Sequence, residues 1–234
     1  MLTEYETRLV RSTVCGGDVA TFSFEKPGGY SYAAGQWLRL TLDTAQGRQT
    51  KTFTHSSAPA DECIEVTTRL SGSAFKDALA ALDEGDAVVF GGPGGRLAIP
   101  SDAERIAFLV GGVGITPARS LLRDAVLAGR GFDDALVVYG NRDPGCVPFL
   151  AELEAMGGAG VRVVPVYERP PGGWAGEKGF ITAETVARHV DPGDGRVFYV
   201  SGPPVMVDAM ETVLDELGVD AGRRVVERFG PAHG

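Results

Sequence analysis

Two hydrophobic periodicities divide the chain. Through residue 99, apolar and polar positions alternate over short runs at Glu6–Val14, Val19–Glu25, Gln36–Leu42, Lys51–Thr54, Cys63–Arg69 and Ala87–Gly91. Period two is the signature of half-buried strands. Turn residues such as Pro27-Gly28-Gly29 and Ala45-Gln46-Gly47 separate the runs. With a single helix over Ser73–Leu82, the pattern predicts a small antiparallel six-stranded β-barrel. From Arg105 the runs become continuously apolar, at Arg105–Val110, Ala135–Gly140, Val161–Val166 and Arg196–Val200, and helical segments alternate with them. That order predicts a parallel sheet with right-handed crossovers, closed by a fifth strand at Arg224–Glu227. The fold class is therefore β followed by α/β, with domains at 1–99 and 104–234. The boundary falls between Gly92-Pro93-Gly94-Gly95 and Pro100-Ser101.

Candidate chemistry concentrates at two strand ends. The run Ile106–Val110 stops at Gly111-Gly112-Val113-Gly114, and an amphipathic helix is expected to begin near Thr116-Pro117. Glycines permit a tight reversal and leave no Cβ between the main chain and a bound phosphate. Thr116 suits an N-cap and Pro117 the first helical position. Pro117 stands where a third glycine would complete the usual G-x-G-x-x-G dinucleotide fingerprint. A second strand, Arg196–Ser201, ends at Gly202-Pro203-Pro204 before another helix. Two such ends opening onto one crevice are how open α/β sheets bind dinucleotides.

Composition narrows the partners. The chain has 234 residues, 44% of them apolar, and a formal charge of −9 spread along its length. Acidity of this kind argues against nucleic acid as a partner. No apolar run approaches the length of a membrane span, and no stretch has the order of a signal peptide, so a cytoplasmic protein without membrane insertion is expected. Cys15, Cys63 and Cys146 are odd in number and far apart, which predicts neither a disulfide framework nor an iron–sulfur centre. The three histidines have no metal-ligand spacing, so no metal site is expected.

A barrel followed by a five-stranded nucleotide domain, with these motifs in this order, resembles the ferredoxin–NADP reductase-like flavoproteins over nearly the whole chain. Lys51-Thr52-Phe53-Thr54, followed by Ser57-Ala58-Pro59, matches the family's Arg-x-Tyr-Ser/Thr motif. The resemblance implies that Lys51 holds the flavin diphosphate, that Phe53 covers the ring and that Thr54 meets flavin N5. Threonine both donates and accepts, which suits either redox state of N5. Lys51 replaces the usual arginine, so a point charge stands where a planar fork is expected. The second flavin contact corresponds to Thr67-Thr68 and to Gly72-Ser73-Ala74-Phe75 at the start of the barrel helix. A helix start suits the second phosphate of FAD, so FAD is preferred to FMN.

In the second domain, the resemblance assigns Gly111, Gly112, Val113, Gly114, Thr116 and Pro117 to the turn where pyridine nucleotide and flavin approach, with Thr116 serving both. Ser201-Gly202-Pro203-Pro204 matches the Cys-Gly-Pro motif beside the nicotinamide, with serine in place of cysteine. Glu227-Arg228-Phe229 matches the Glu-x-Phe region near the flavin, giving Glu227 a catalytic place and Phe229 a flavin contact. Only five residues follow Phe229, so no fused iron–sulfur domain is expected there. The choice between NADH and NADPH stays open. Glu168 at a strand end favours a free ribose diol, whereas Arg142, Arg169 and Lys178 could clamp a 2′-phosphate.

The resemblance implies a flavin-dependent oxidoreductase that takes a hydride from NAD(P)H onto FAD N5. It would then pass electrons to a separate acceptor such as a ferredoxin, a haem protein, an oxygenase or a small oxidant. The alternative is a non-catalytic flavin-binding electron-transfer subunit or sensor with a vestigial nucleotide site. A flavin-free dehydrogenase is disfavoured, because the glycine motif is wrong for one and no Lys, Tyr or His stands in a catalytic context.

Overall fold

The computed structural model describes residues 2–229, which divide into two units. Residues 2–98 with Thr116–Asp124 form the first, and Ile99–Ile115 with residues 125–229 form the second.

The first unit holds six antiparallel strands: β1 (Glu4–Gly16), β2 (Val19–Glu25), β3 (Trp37–Thr44), β4 (Gly47–Thr54), β5 (Cys63–Arg69) and β6 (Ala87–Gly94). They hydrogen-bond in the order β4-β3-β6-β1-β2-β5, a half-barrel with β4 and β5 at its ends. Alternation explains the inward face. In β3, Leu38, Leu40 and Leu42 are buried whereas Arg39 and Asp43 are exposed. These leucines pack with Phe22, Phe24, Ile64 and Phe90. Strand β4 starts earlier than its apolar pattern suggests, because Gly47-Arg48-Gln49-Thr50 is polar on both faces yet pairs with β3 from Thr44 to Trp37. The one helix, α1 (Ala74–Ala80), buries Phe75 and Leu79.

The second unit is a sheet of β7 (Arg105–Gly111), β8 (Asp134–Asn141), β9 (Val161–Tyr167), β10 (Glu177–Lys178), β11 (Val197–Gly202) and β12 (Arg224–Arg228). The order is β10-β9-β8-β7-β11-β12, and every pairing is parallel. Ile106 to Val110 are all buried, as expected of a central strand covered on both faces. The five expected strands are present. The sixth, β10, is only two residues long and carries no apolar pattern, so sequence periodicity could not mark it. Helices α2 (Ile115–Leu127), α3 (Leu150–Ala155), α4 (Ala183–His189) and α5 (Pro204–Glu216) alternate with the strands. Strand order reverses between β7 and β11, the switch point at which open α/β sheets take ligands.

One expectation at the glycine turn is corrected. Gly112–Gly114 already forms a 3₁₀ turn and α2 begins at Ile115, so Thr116 and Pro117 are its second and third residues rather than N-cap and first residue. Proline is still tolerated there, because N–H groups of a first turn have no intrahelical acceptor. Gly114 is required for packing: a Cβ on it would fall well inside contact distance of the Ser201 carbonyl oxygen. Ser201 Oγ donates to the Gly114 carbonyl at 2.7 Å, which ties the ends of β7 and β11 together.

The half-barrel also encloses a polar cluster. His55, Ser56 and Ser57 follow β4 and are completely buried. His55 Nδ1 lies 2.6 Å from the Gln36 carbonyl, so Nδ1 carries the proton. Nε2 then accepts from Tyr30 Oη at 2.8 Å. Tyr32 stacks on the imidazole, with centroids 3.8 Å apart and planes 9° apart. Burial pulls the His55 pKa down to about 4 from an ordinary 6.5.

That shift makes stability depend on pH. Between pH 4 and 6.5 the unfolded imidazole takes a proton and the folded one does not, so stability rises with pH through that window. Urea unfolding, followed through Trp37 in a Trp174→Phe background, should lose roughly 2–3 kcal/mol between pH 7 and pH 4.5. His55→Gln should flatten that dependence while lowering stability at pH 7. Parallel pH profiles for the two proteins would contradict a buried neutral His55.

Candidate functional site

In the first unit the expected flavin residues gather around the last residues of β4 and the start of α1. Thr54 is buried at the end of β4, paired in register with Trp37. Its neighbours along the chain are fixed by the polar cluster. Ser56 Oγ bonds Thr67 Oγ1 at 2.9 Å, and Thr67 Oγ1 bonds Thr21 Oγ1 at 2.8 Å. Thr67 therefore faces inward and supports the turn after Thr54. Thr68 lies across from Ala20, and its hydroxyl accepts a hydrogen bond from Lys76 Nζ. Phe53 is half-buried and packs on the core, 5.9 Å from the ring of Phe75. Lys51 projects from the same face of β4, two residues earlier, and forms no ion pair with another described residue.

Ser73 caps α1, its Oγ accepting from the Lys76 N–H at 3.4 Å. Gly72 precedes it with φ +66° and open space on its Cβ side. Ala74 is half-buried and Phe75 is buried beneath them, so this segment presents backbone rather than bulk.

Arg119 is the residue that sequence reasoning missed. It lies on the part of α2 that clusters with the half-barrel, and it is 7% exposed. Its guanidinium donates to the Ser56 carbonyl at 2.7 Å and to Glu65 Oε2 at 2.6 Å. One turn on, Arg123 grips Asp61 through Nε and Nη2 at 2.7–2.8 Å. Burial works to raise the Asp61 pKa, but Arg123 holds the carboxyl below the usual range. Ser120 Oγ donates to the Ser57 carbonyl at 2.7 Å. The only local signal was a polar Arg-Ser pair following Thr-Pro-Ala; partners 54 to 63 residues away leave no periodicity.

In the second unit the glycine turn and the β11 end form one platform. Gly111 pairs with Gly140, and Gly112–Gly114 turn directly into α2. Val113 is half-buried within that turn. Gly202 ends β11, and Pro203 and Pro204 open α5. Glu227 sits on β12 opposite Ser201, and the Phe229 N–H donates to the Gly202 carbonyl at 2.8 Å. The structure thus brings Ser201, Gly202, Glu227 and Phe229 together at the carboxyl end of the sheet.

A charged corner lies along the same edge. The Glu168 N–H bonds the Asn141 carbonyl at 3.0 Å, and the Arg169 N–H bonds the Arg142 carbonyl at 2.7 Å. Lys178 on β10 pairs in register with Tyr167. Arg142, Arg169 and Lys178 are exposed, and none forms an ion pair with another described residue. This donor set fits an anionic nucleotide. Lys51, which has no ion pair among the described residues and lies near enough to Lys76 for their charges to interact, fits the diphosphate of a flavin dinucleotide in the same way. Among the described residues there is no cluster of metal-ligating side chains and no helix long and apolar enough to cross a membrane.

Comparison with known proteins bears on the fold and on sequence similarity. Residues 108–212 match the family model described as an oxidoreductase NAD-binding domain. Ferredoxin–NADP reductase B of Sorangium cellulosum is 28% identical over 240 residues, covering 96% of this chain and 97% of that protein. NADH-cytochrome b5 reductase 1 of Aspergillus terreus is 31% identical over 157 residues, or 63% of this chain. The chain spans about half the length of that reductase (53%) and 19% of the Fusarium oxysporum nitrate reductase it also matches. Among solved structures, a ferredoxin NADP+ reductase from Neisseria gonorrhoeae with bound FAD and NADP superimposes with a TM-score of 0.85 over 97% of this chain and 99% of that one, at 21% identity. In sequence and in fold the chain is thus similar to ferredoxin–NADP reductase-like proteins.

Proposed function

We propose that this protein is a flavin-dependent NAD(P)H oxidoreductase, with FAD held by the half-barrel and NAD(P)H by the α/β unit, that serves a separate electron acceptor. The observation that carries this reading is where the cations stand without carboxylates. Acidic residues outnumber basic ones 31 to 22, and most arginines here are paired. Yet Lys51 on the half-barrel, and Arg142, Arg169 and Lys178 on the sheet, have no carboxylate partner among the described residues. An acidic chain that leaves cations unpaired at two candidate sites is suited to two anionic ligands.

Bound FAD would supply the redox chemistry, taking a hydride from NAD(P)H and passing electrons on. The residues of this chain hold, align and shield. Lys51 and the backbone around Gly72 would hold the diphosphate, and Phe53 would lend its ring to the flavin side. Thr54 places a hydroxyl that donates to an unprotonated nitrogen and accepts from a protonated one. The buried turn from His55 to Ser57 fixes Thr54 for that task. The glycine platform of Gly111–Gly114, with Gly202-Pro203-Pro204, would border the nicotinamide ring, and the Met206 side chain that lies against Gly111 and Gly202 would have to move aside for it. Glu227 and Phe229 border that space from β12. Hydride transfer needs the two reacting atoms held roughly 3–3.5 Å apart. The acceptor is proposed to be a one-electron carrier, a ferredoxin or a haem protein, as the names of the relatives suggest.

Two substitutions test the assignment. Thr54→Val should slow flavin reduction about tenfold, as expected for a lost hydrogen bond, without changing nucleotide affinity. Rapid-mixing measurements at several nucleotide concentrations separate the two quantities, and wild-type values for both would remove Thr54 from the site. At the charged corner, Glu168→Gln removes the carboxylate next to Arg169 at the end of β9. The ratio of kcat/KM for NADPH to that for NADH should rise about tenfold. An unchanged ratio would place the ribose end of the nucleotide elsewhere.

A further inference from the structure

Lys76 is a half-buried cation that the mechanism above does not use. It lies on α1, three residues after the cap, and its Nζ stands 4.3 Å from the centroid of the Phe53 ring. The same ammonium donates to Thr68 Oγ1 on β5. It forms no ion pair with another described residue. Asp77, the next residue on α1, is exposed and has no ion pair with a described residue either. Burial, and then the charge of Lys51 on β4, lower the Lys76 pKa to about 8. The Lys76 ammonium thus has a hydroxyl and an aromatic face as company, and it is repelled by the exposed Lys51, two residues before Phe53 on β4.

Such an arrangement is unfavourable in isolation. Cation–π contact offsets part of the desolvation, by about 0.5–2 kcal/mol, but it does not neutralise the charge. An anion that joins the half-buried Lys76 and the exposed Lys51 would offset their repulsion and part of the desolvation cost. The anion must reach both β4 and the first turn of α1, which asks for more than one charged group. Ser73, a neutral hydroxyl engaged in capping the helix, supplies no counter-charge.

We infer that Lys76 is the second cation of a diphosphate seat whose first is Lys51, so that the half-barrel selects a flavin dinucleotide over a flavin without phosphate. The inference rests on the FAD assignment made above and adds a residue to it. Lys76 compensates for the lysine that replaces a planar, bidentate arginine on β4: two point charges do the work of one fork.

The test compares FAD with riboflavin, which has the same ring and no phosphate. Binding to the flavin-free full chain is read by fluorescence quenching and equilibrium dialysis. Lys76→Met should weaken FAD about tenfold or more while leaving riboflavin affinity unchanged. Lys76→Arg should keep FAD within a few-fold of wild type, and the Lys76→Met effect should shrink as salt is raised. Should Lys76→Met fail to fold, Lys76→Gln carries the same comparison. Wild-type FAD affinity in the variant overturns the inference and leaves the flavin assignment standing. Equal loss of FAD and riboflavin also overturns it, because Lys76 would then act by covering Phe53. A wild-type chain that binds neither flavin overturns the assignment and the inference together.

Discussion

Three consecutive polar side chains, His55, Ser56 and Ser57, sit fully buried directly after β4, and the site depends on their being satisfied. A buried polar group without a partner costs about 1–3 kcal/mol, so a run of three must be matched donor by donor. Tyr30 and the Gln36 carbonyl take the two ring nitrogens of His55. Arg119 takes the Ser56 carbonyl and Ser120 takes that of Ser57. Fully satisfied networks of this kind are rigid, and this one ends at Thr54. A hydroxyl that must meet a specific nitrogen is held by its neighbours rather than by its own side chain. Arg119 is central because it answers two needs at once, the carbonyl of Ser56 and the carboxylate of Glu65.

Charge is arranged with the same economy. Arg196, 3% exposed at its side chain, is answered by Asp134 and Asp194, and Arg123 is answered by Asp61. Arginine's planar fork suits such bidentate pairs. The lysines are used differently. Lys76 lies over the Phe53 ring with the charge of Lys51 near it and no ion pair for either among the described residues, and Lys178 stands on the two-residue strand β10 beside two arginines without ion pairs. The structural arginines close the fold, whereas these groups remain available to anions that arrive from solution.

Much of the architecture was legible in the sequence because it is written locally. Leu38, Leu40 and Leu42 alternate, and Ile106–Val110 run unbroken, so strand type and burial followed from period alone. The glycine turn was legible as well, though not its helical register: Thr116 reads as a cap by residue type, yet the 3₁₀ turn at Gly112–Gly114 starts the helical run earlier. The polar half of β4 and the two residues of β10 were hidden, since neither carries an apolar pattern. Least visible were the partnerships of His55, Arg119 and Lys76. Each joins elements far apart in the chain, and their residue types are as common on a solvated surface as in a buried network. The resemblance of Lys51-Thr52-Phe53-Thr54 to a family motif pointed to a candidate site, and the structure places Lys76 beside it.

The central claim is that NAD(P)H reduces a flavin held by this chain. The most direct measurement mixes the FAD-loaded protein anaerobically with NADH and, in parallel, with NADPH while the flavin absorbance is followed. The account predicts loss of the oxidised flavin spectrum with at least one nucleotide, in a single turnover and without any added acceptor. Retention of FAD with an unchanged spectrum under both nucleotides would contradict it and leave a flavin-holding protein that does not accept hydride.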